Sequence, residues 1–484
     1  MKKEKSLQEV AEQEIVFVSA LDLLTNSHSV NDSSLKRVSS YRHDNDDRYC
    51  HDNASLPAIA ADHAAAISNL CFPFTLKPDQ VKAVEAWLAN LCRGSIIYGS
   101  GTGKTEIAFE CARRAVELKK TDNIDGCCFN ILLLVPRIVL VEQNYERLIR
   151  YGIPPEKIGQ YFGEEKQIRE ITICTYHSAL RNLGIIKRAN MVIFDEVHLA
   201  KGAFSKIFDA VNNEKQDKAL LGLTATIDEN DPTNTTILSL LPPVRKYLIK
   251  DAVIDKRLAK PIVFPIKVGL TEKEQIRYNE HSKKIRSISK RFKRFDAKGM
   301  TELMKQNGFP RWQANAWFSN VRKRKQLLAA SENKLAAAVK LIAEKHPRQK
   351  VMIFSETLES VRKLKQLLKI RGIDSAIIDS KTPSFRRQKI LSKWGKQFYA
   401  LLSVHTLEIG YDVPEAQIEI ILATTSNMNQ IVQRIGRVLR KIDGKETALI
   451  YLIYVSDTKD DSTLEVVRKA IETSGGTSES NNNI

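Results

Sequence analysis

No apolar run in this 484-residue chain approaches the ~20 residues of a membrane-spanning helix. The longest, Ile131 to Val141, is broken by Pro136 and Arg137, so no membrane partner is expected. Cysteine is sparse and poorly spaced for cross-linking. Cys50, Cys71, Cys92, Cys111, Cys127, Cys128 and Cys174 are odd in number and lack CxxC spacing, which argues against a disulfide framework or zinc site and for reduced thiols. The start, Met1-Lys2-Lys3-Glu4-Lys5, leads into a mixed segment with no signal-peptide core. The expected location is therefore intracellular: the cytoplasm, or the nucleus in a eukaryote. Acidic residues are also in short supply. Asp and Glu number 57 against 75 Lys and Arg, and the net charge of +18 suggests a polyanionic partner. A hydrophobic content of 43% excludes a largely disordered chain, and the length calls for two or three domains.

Residues 1–70 read as an N-terminal extension or small accessory domain. Its polar tract, Thr25 to Asn53, holds His43, Cys50 and His51 at spacings that fit no metal motif. From Leu76 to Ile249 short apolar runs alternate with helical segments: Ser95–Tyr98, Asn130–Val135, Ile171–Cys174, Met191–Phe194 and Ala219–Leu223. The alternation returns in Val351–Phe354, Ser375–Ile378, Ala400–Val404, Ile418–Ala423 and Ala448–Val455. Strands of this kind, apolar throughout and separated by helices, predict parallel sheets covered on both faces. The expected class is α/β with two tandem doubly wound lobes, 71–250 and 251–456, followed by a polar tail, 457–484.

The second lobe is interrupted by a basic helical insertion, 271–345. Between Thr271 and Ala330 sixteen Lys and Arg face five Asp and Glu. Ile285, Ile288, Phe292 and Phe295 recur at helical spacing among lysines and arginines, and Trp312, Trp317 and Phe318 precede Arg322-Lys323-Arg324-Lys325. Cations interleaved with aromatics suit phosphate contact plus base stacking. The alternative is a solvated helical segment whose aromatics pack against one another.

The chemistry is carried by two motifs. Gly99-Ser100-Gly101-Thr102-Gly103-Lys104-Thr105 follows an apolar strand and opens a helix, the arrangement that cradles nucleotide phosphates on backbone N–H groups. Lys104 is placed to reach the β and γ phosphates, and the Thr105 hydroxyl to ligate Mg²⁺. One departure is Tyr98, where the strict motif has glycine. Asp195-Glu196 closes the Met191–Phe194 strand, at the sheet edge where doubly wound folds place active sites. Asp195 would hold Mg²⁺ and Glu196 would orient and deprotonate a water.

These motifs, with others in order between Phe72 and Val455, resemble the superfamily 2 helicases. Leu76-Lys77-Pro78-Asp79-Gln80 resembles the adenine motif, which assigns Gln80 to the base. Val135-Pro136-Arg137 and Thr175-Tyr176-His177 resemble strand-contacting motifs, which assigns Pro136, Arg137, Thr175 and Tyr176 to nucleic acid beside Arg322, Lys323, Arg324 and Lys325. Asp195-Glu196-Val197-His198 is of the DExH type, and Leu223-Thr224-Ala225-Thr226 resembles the coupling motif, with Thr224 and Thr226 linking the two sites. Ile353-Phe354-Ser355 resembles the fourth motif. Glu408 to Pro414 resembles the fifth, with Gly410 and Asp412 toward the nucleotide. Gln433-Arg434-Ile435-Gly436-Arg437-Val438-Leu439-Arg440 resembles the sixth, which makes Arg437 and Arg440 arginine fingers with Gln433 nearby.

The terminal His198 and the segments Ile158–Gly163 and Ile171–Tyr176 look like the XPB, UvsW and restriction-motor branch. The resemblance implies two RecA-like lobes, ATP and Mg²⁺ as cofactors, and a DNA helicase or translocase acting on duplex, forked or branched DNA, with single-stranded nucleic acid as a further partner. An RNA helicase with the same motor, or a nucleic-acid-stimulated ATPase switch that does not move, are the alternatives.

Overall fold

Ile131, Leu132, Leu133, Leu134 and Val135 are all buried, and they alternate between two cores. Ile131, Leu133 and Val135 face one, Leu132 and Leu134 the other, as the two-residue period of a strand requires. The computed structural model describes residues 65–121, 129–212, 218–379, 381–404, 416–423, 431, 434–436, 438–441 and 444–472.

The first sheet contains β1 (Arg93–Tyr98), β2 (Ile131–Val135), β3 (Ile158–Phe162), β4 (Glu165–Lys166), β5 (Ile171–Thr175), β6 (Met191–Asp195), β7 (Ala219–Thr224) and β8 (Pro243–Tyr247), in the order β4-β3-β5-β2-β6-β7-β1-β8. The second contains β9 (Lys260–Val268), β10 (Val351–Ser355), β11 (Ser375–Ile378), β12 (Ala400–Val404), β13 (Ile418–Ile421) and β14 (Thr447–Val455), in the order β11-β12-β10-β13-β14-β9. Apart from the short β3–β4 hairpin, the described pairings are parallel. The α/β class with two parallel sheets therefore holds. Nothing in the sequence marked β9, because Pro261 and Pro265 interrupt it. It tolerates both prolines because it lies at the sheet edge, where one side of its backbone has no strand to bond.

The helices that position the cleft are α1 (Pro78–Ala89), α2 (Lys104–Thr121), α3 (Ile138–Arg150), α4 (Tyr176–Arg181) and α5 (Ile249–Ile254). The last of these joins the two sheets. Beyond it Leu258 bridges to Arg440, and the Ala259 N–H donates to the Leu439 carbonyl at 2.7 Å. The connecting segment is thus tied to the end of the sixth motif. The described residues all fall in one compact unit, His63–Ile484.

Between β9 and β10 the chain forms α6 (Glu272–Phe292), α7 (Ala297–Met304) and α8 (Phe309–Ala329). Ile285 and Ile288 from α6, Met300 and Leu303 from α7, and Ala314 and Trp317 from α8 close a small core of their own. Helix α9 (Glu332–Lys340) returns the chain to the lobe, and its fully buried Lys334 pairs with Asp460 and donates to the Leu422 carbonyl at 2.7 Å. Helices α10 (Leu358–Ile370) and α11 (Ser384–Lys393) follow β10 and β11. The expectation of a polar tail at 457–484 needs correction over Asp461–Glu472. That stretch is a helix, α12, because Leu464 and Val466 pack against the main core.

Candidate functional site

The glycine-rich loop lies between β1 and α2. Gly101 and Gly103 have φ of +84° and +86°, a left-handed backbone that glycine adopts without steric cost. The Thr102 hydroxyl donates to the Gly99 carbonyl at 2.7 Å, and Lys104 Nζ folds over the loop to the Tyr98 carbonyl at 3.1 Å. Tyr98 does not obstruct the loop. Its side chain is fully buried, with the hydroxyl donating to the Asp79 carbonyl at 2.7 Å and the ring 5.2 Å from Tyr247. The unexpected residue thus turns its side chain into the core, against Asp79 and Tyr247.

Gln80 braces the same loop. Its Nε2 donates to the Thr102 and Gly103 carbonyls, both at 3.2 Å, while Oε1 accepts the Lys77 N–H at 2.8 Å. Both amide hydrogens are therefore committed, and one Oε1 lone pair remains to accept an adenine N6–H. Arg257, beyond α5, pairs with the Asp79 carboxylate and donates to the Thr102 carbonyl at 2.9 Å. Nothing in the sequence singled it out, because it stands alone between motifs and is brought to the loop by the fold.

Asp195 sits at the end of β6 and Glu196 one residue beyond, with φ of 51°. A non-glycine residue in that region is strained by about 1–3 kcal/mol, and such strain concentrates at functional positions. Burial, followed by the Glu196 charge, pushes the Asp195 carboxyl up to about 7, and Lys104 opposes the shift. Among the described residues Glu196 Oε2 is buried without a hydrogen-bond partner, and His198 Nδ1 lies 3.4 Å from it. A buried carboxyl of raised pKa beside an orphaned carboxylate oxygen suits a cation. Among the described residues no three His, Cys, Asp or Glu gather as a metal cage. Asp195 and Glu196 offer the one or two carboxylates that a Mg²⁺ ion takes, the rest of its shell being water and phosphate oxygens.

His198 Nδ1 lies 2.9 Å from Thr224 Oγ1. The Thr224 hydroxyl donates to the Thr226 carbonyl at 2.8 Å, which uses its one hydrogen, so His198 must be the donor. Burial lowers the His198 pKa, which keeps the ring neutral. The third motif is thus tied directly to the second.

The second lobe closes the site. A Cβ built on Gly101 would lie 2.9 Å from Arg440 Cγ and 3.2 Å from its Nε, and one on Gly436 would collide with Ser100. The end of the sixth motif therefore lies directly on the loop. Burial, then the Arg147 guanidinium, lowers the Arg440 pKa, while Glu106 opposes. Arg147 itself, on α3, approaches Glu106 to 3.5 Å, a second cation beside the loop that no sequence motif indicated. Gly410, Asp412, Gln433 and Arg437 lie outside the described residues.

Comparison with known proteins bears on the family. Residues 73–229 match the family model described as Type III restriction enzyme, res subunit, and residues 333–441 that of the helicase conserved C-terminal domain. The chain is 27% identical over 401 residues to DNA 3'-5' translocase XPB2 of Sulfurisphaera tokodaii, spanning 80% of this chain and 84% of that one.

The chain is a superfamily 2 helicase.

Its branch is the XPB-like and restriction-motor-like one. DNA 3'-5' helicase XPB of Mycobacterium tuberculosis is 24% identical over 381 residues, which is 76% of this chain and 58% of that protein. Two solved structures share the fold. The Pyrococcus furiosus Hef helicase domain gives a TM-score of 0.51 at 18% identity, over 81% of this chain and 99% of that one. The DNA-bound Type ISP restriction-modification enzyme LlaBIII gives 0.56 at 17%, over 83% and 30%.

The helicase's expected strand contacts divide on inspection. Pro136 is half-buried and Arg137 exposed. Partial enclosure, and then the Arg387 guanidinium of α11, lowers the Arg137 pKa. Thr175 and Tyr176 need correction. Thr175 is buried as the N-cap of α4, accepting the Ser178 N–H at 3.3 Å. Tyr176 is buried too, and its hydroxyl donates to the Asp195 carbonyl at 2.9 Å. Neither presents its side chain to a strand; Tyr176 instead braces the end of β6. In the insertion Arg322, Lys323 and Lys325 are exposed. Arg324 turns inward over the Tyr278 ring at 5.8 Å, because four consecutive residues cannot share one helix face.

Proposed function

We propose that this helicase is an ATP- and Mg²⁺-dependent DNA translocase that unwinds or remodels duplex, forked or branched DNA. The reading is supported by the composite cleft, in which Lys104, Thr105, Asp195 and Glu196 come from one lobe and Arg440 from the other. It is also supported by relatives named as DNA helicases and translocases. The 3'-5' direction in those names is the polarity to test first.

In this reading Thr105 and Asp195 hold Mg²⁺, which would neutralise phosphate charge when bound. Lys104 leaves the Tyr98 carbonyl for the phosphates. Glu196, its Oε2 without a hydrogen-bond partner among the described residues, orients the attacking water and takes its proton. Arg440 adds positive charge only while the lobes are together, so hydrolysis depends on closure. His198 and Thr224 carry the state of Glu196 to the third motif, and Tyr176 carries that of Asp195 to α4. Alternate closing and opening would then move the lobes along a strand.

The carrying observation is that Arg440 lies against Gly101. Lys104→Ala and Glu196→Gln are expected to abolish DNA-stimulated ATP hydrolysis in a phosphate-release assay. Undiminished turnover in either would overturn the assignment. Comparing stimulation by duplex DNA, single-stranded DNA and RNA separates a DNA motor from an RNA one.

A further inference from the structure

The insertion turns only part of its aromatic set inward. Trp317 is 7% exposed and donates its indole N–H to Ser289 Oγ at 2.9 Å within the bundle core. Trp312 is 64% exposed and Phe309 53%. Their rings lie 6.2 Å apart, Phe309 is 6.3 Å from Phe292, and the Arg291 guanidinium covers Phe309 at 5.6 Å. The end of α6 and the start of α8 thus present a row of aromatic faces edged by a planar cation.

The surroundings say what the row would meet. From Lys283 to Trp312 ten Lys and Arg stand against two Asp and Glu. A second copy would bring an equally cationic face and be repelled. A partner with flat aromatic faces and its own negative charge is favoured on both counts, and a nucleobase with its phosphate has both. Continuous duplex hides its base faces in the stack. They are open where a duplex ends or splits, and along a single strand.

Resting on the DNA-motor reading above, we propose that Phe309 and Trp312 form a stacking platform for the exposed base face at a duplex end or fork. Arg291 holds Phe309, the inner ring of the platform, and meets the adjoining phosphate. The insertion therefore distinguishes junctions from uninterrupted duplex, while the exposed cations of α8 contact either alike.

The test uses the full chain with two probes. One is a fork oligonucleotide carrying 2-aminopurine at its last base pair, the other a covalently closed circular duplex. Stacking by the wild type should change the 2-aminopurine emission. Trp312→Ala should lose that change and bind the fork about tenfold more weakly, with the circle affected less than twofold, and Trp312→Phe should recover most of both. Equal weakening on fork and circle, or an unaltered fork signal, would overturn the platform. A Trp312→Ala-dependent fall in sedimentation coefficient would reassign the surface to self-association. If the wild type binds neither probe and DNA leaves its ATPase unchanged, the motor reading fails and the platform with it.

Discussion

The interlobe cleft and the helical insertion both rely on arginine, and they use it in opposite ways. In the cleft Arg440 lies enclosed against Gly101, Arg257 pairs with Asp79, and Arg434 is buried over the Phe354 ring at 5.7 Å. In the insertion Arg322, Lys323 and Lys325 stand in solvent. An enclosed charge acts at low effective dielectric, so small movements change its energy strongly, whereas an exposed one is screened within about 10 Å at moderate salt. The first arrangement suits a switch. The second suits a grip that holds phosphates without choosing among them.

The largest expected effect tests the enclosed side. Arg440→Ala should lower DNA-stimulated ATPase by about 10³-fold or more, the usual worth of an arginine finger. Arg440→Lys should recover little, because the planar fork is lost. A loss under tenfold in a phosphate-release assay would place Arg440 among the structural residues, like Arg434.

The next test concerns the brace. Tyr176→Phe removes only the hydrogen bond to the Asp195 carbonyl. At about 0.5–1.5 kcal/mol for one such bond, DNA-stimulated turnover should fall about two- to twelvefold. The DNA-free rate should fall less. Equal loss in both would show that Tyr176 shapes the metal site and carries nothing to α4.

The exposed side predicts a smaller, graded response. Arg322→Gln and Lys323→Gln should each flatten the salt dependence of DNA binding by about one unit of slope. Arg324→Gln should instead lower the thermal midpoint, since its guanidinium packs over Tyr278 and donates to Ser282 Oγ at 3.3 Å. Identical slopes for all three variants would erase the distinction between them.

A further effect, read in stability instead of turnover or binding, is a pH dependence within the cleft. Asp195 titrates near 7 when folded and about 3.9 when unfolded, so the folded protein binds the extra proton between those values. Its contribution to stability is therefore present at low pH and lost as pH rises through 7. Metal-free wild type should lose thermal stability relative to Asp195→Asn between about pH 5 and pH 8. A constant difference across that range would mean that the carboxyl is ionised throughout.

The same contrast explains what was legible in advance. Strands such as Ile131–Val135 announced themselves because burial on both faces leaves no polar position, and Lys104, Asp195 and Glu196 because their chemistry fixes both residue type and place at a strand end. Edge strand β9 did not, since half of its surface carries no such demand. Arg257 and Arg147 stand near no motif and acquire meaning only through distant partners, Asp79 and Glu106. Tyr176 was assigned to the wrong side because a pattern of letters does not say which way a ring points. In the insertion, composition revealed cations and aromatics but not which face each occupies, so Trp317 and Arg324 turned inward while Trp312 did not.

The central claim is that each lobe supplies part of one catalytic centre. It is tested most directly by the affinity of Arg440→Ala for ADP with aluminium fluoride, a mimic of the transferring phosphoryl group, set beside its affinity for ADP alone. The account predicts a loss of about a hundredfold or more for the mimic, with ADP held within a few-fold of wild type. Equal losses for both, or no loss for the mimic, would contradict it.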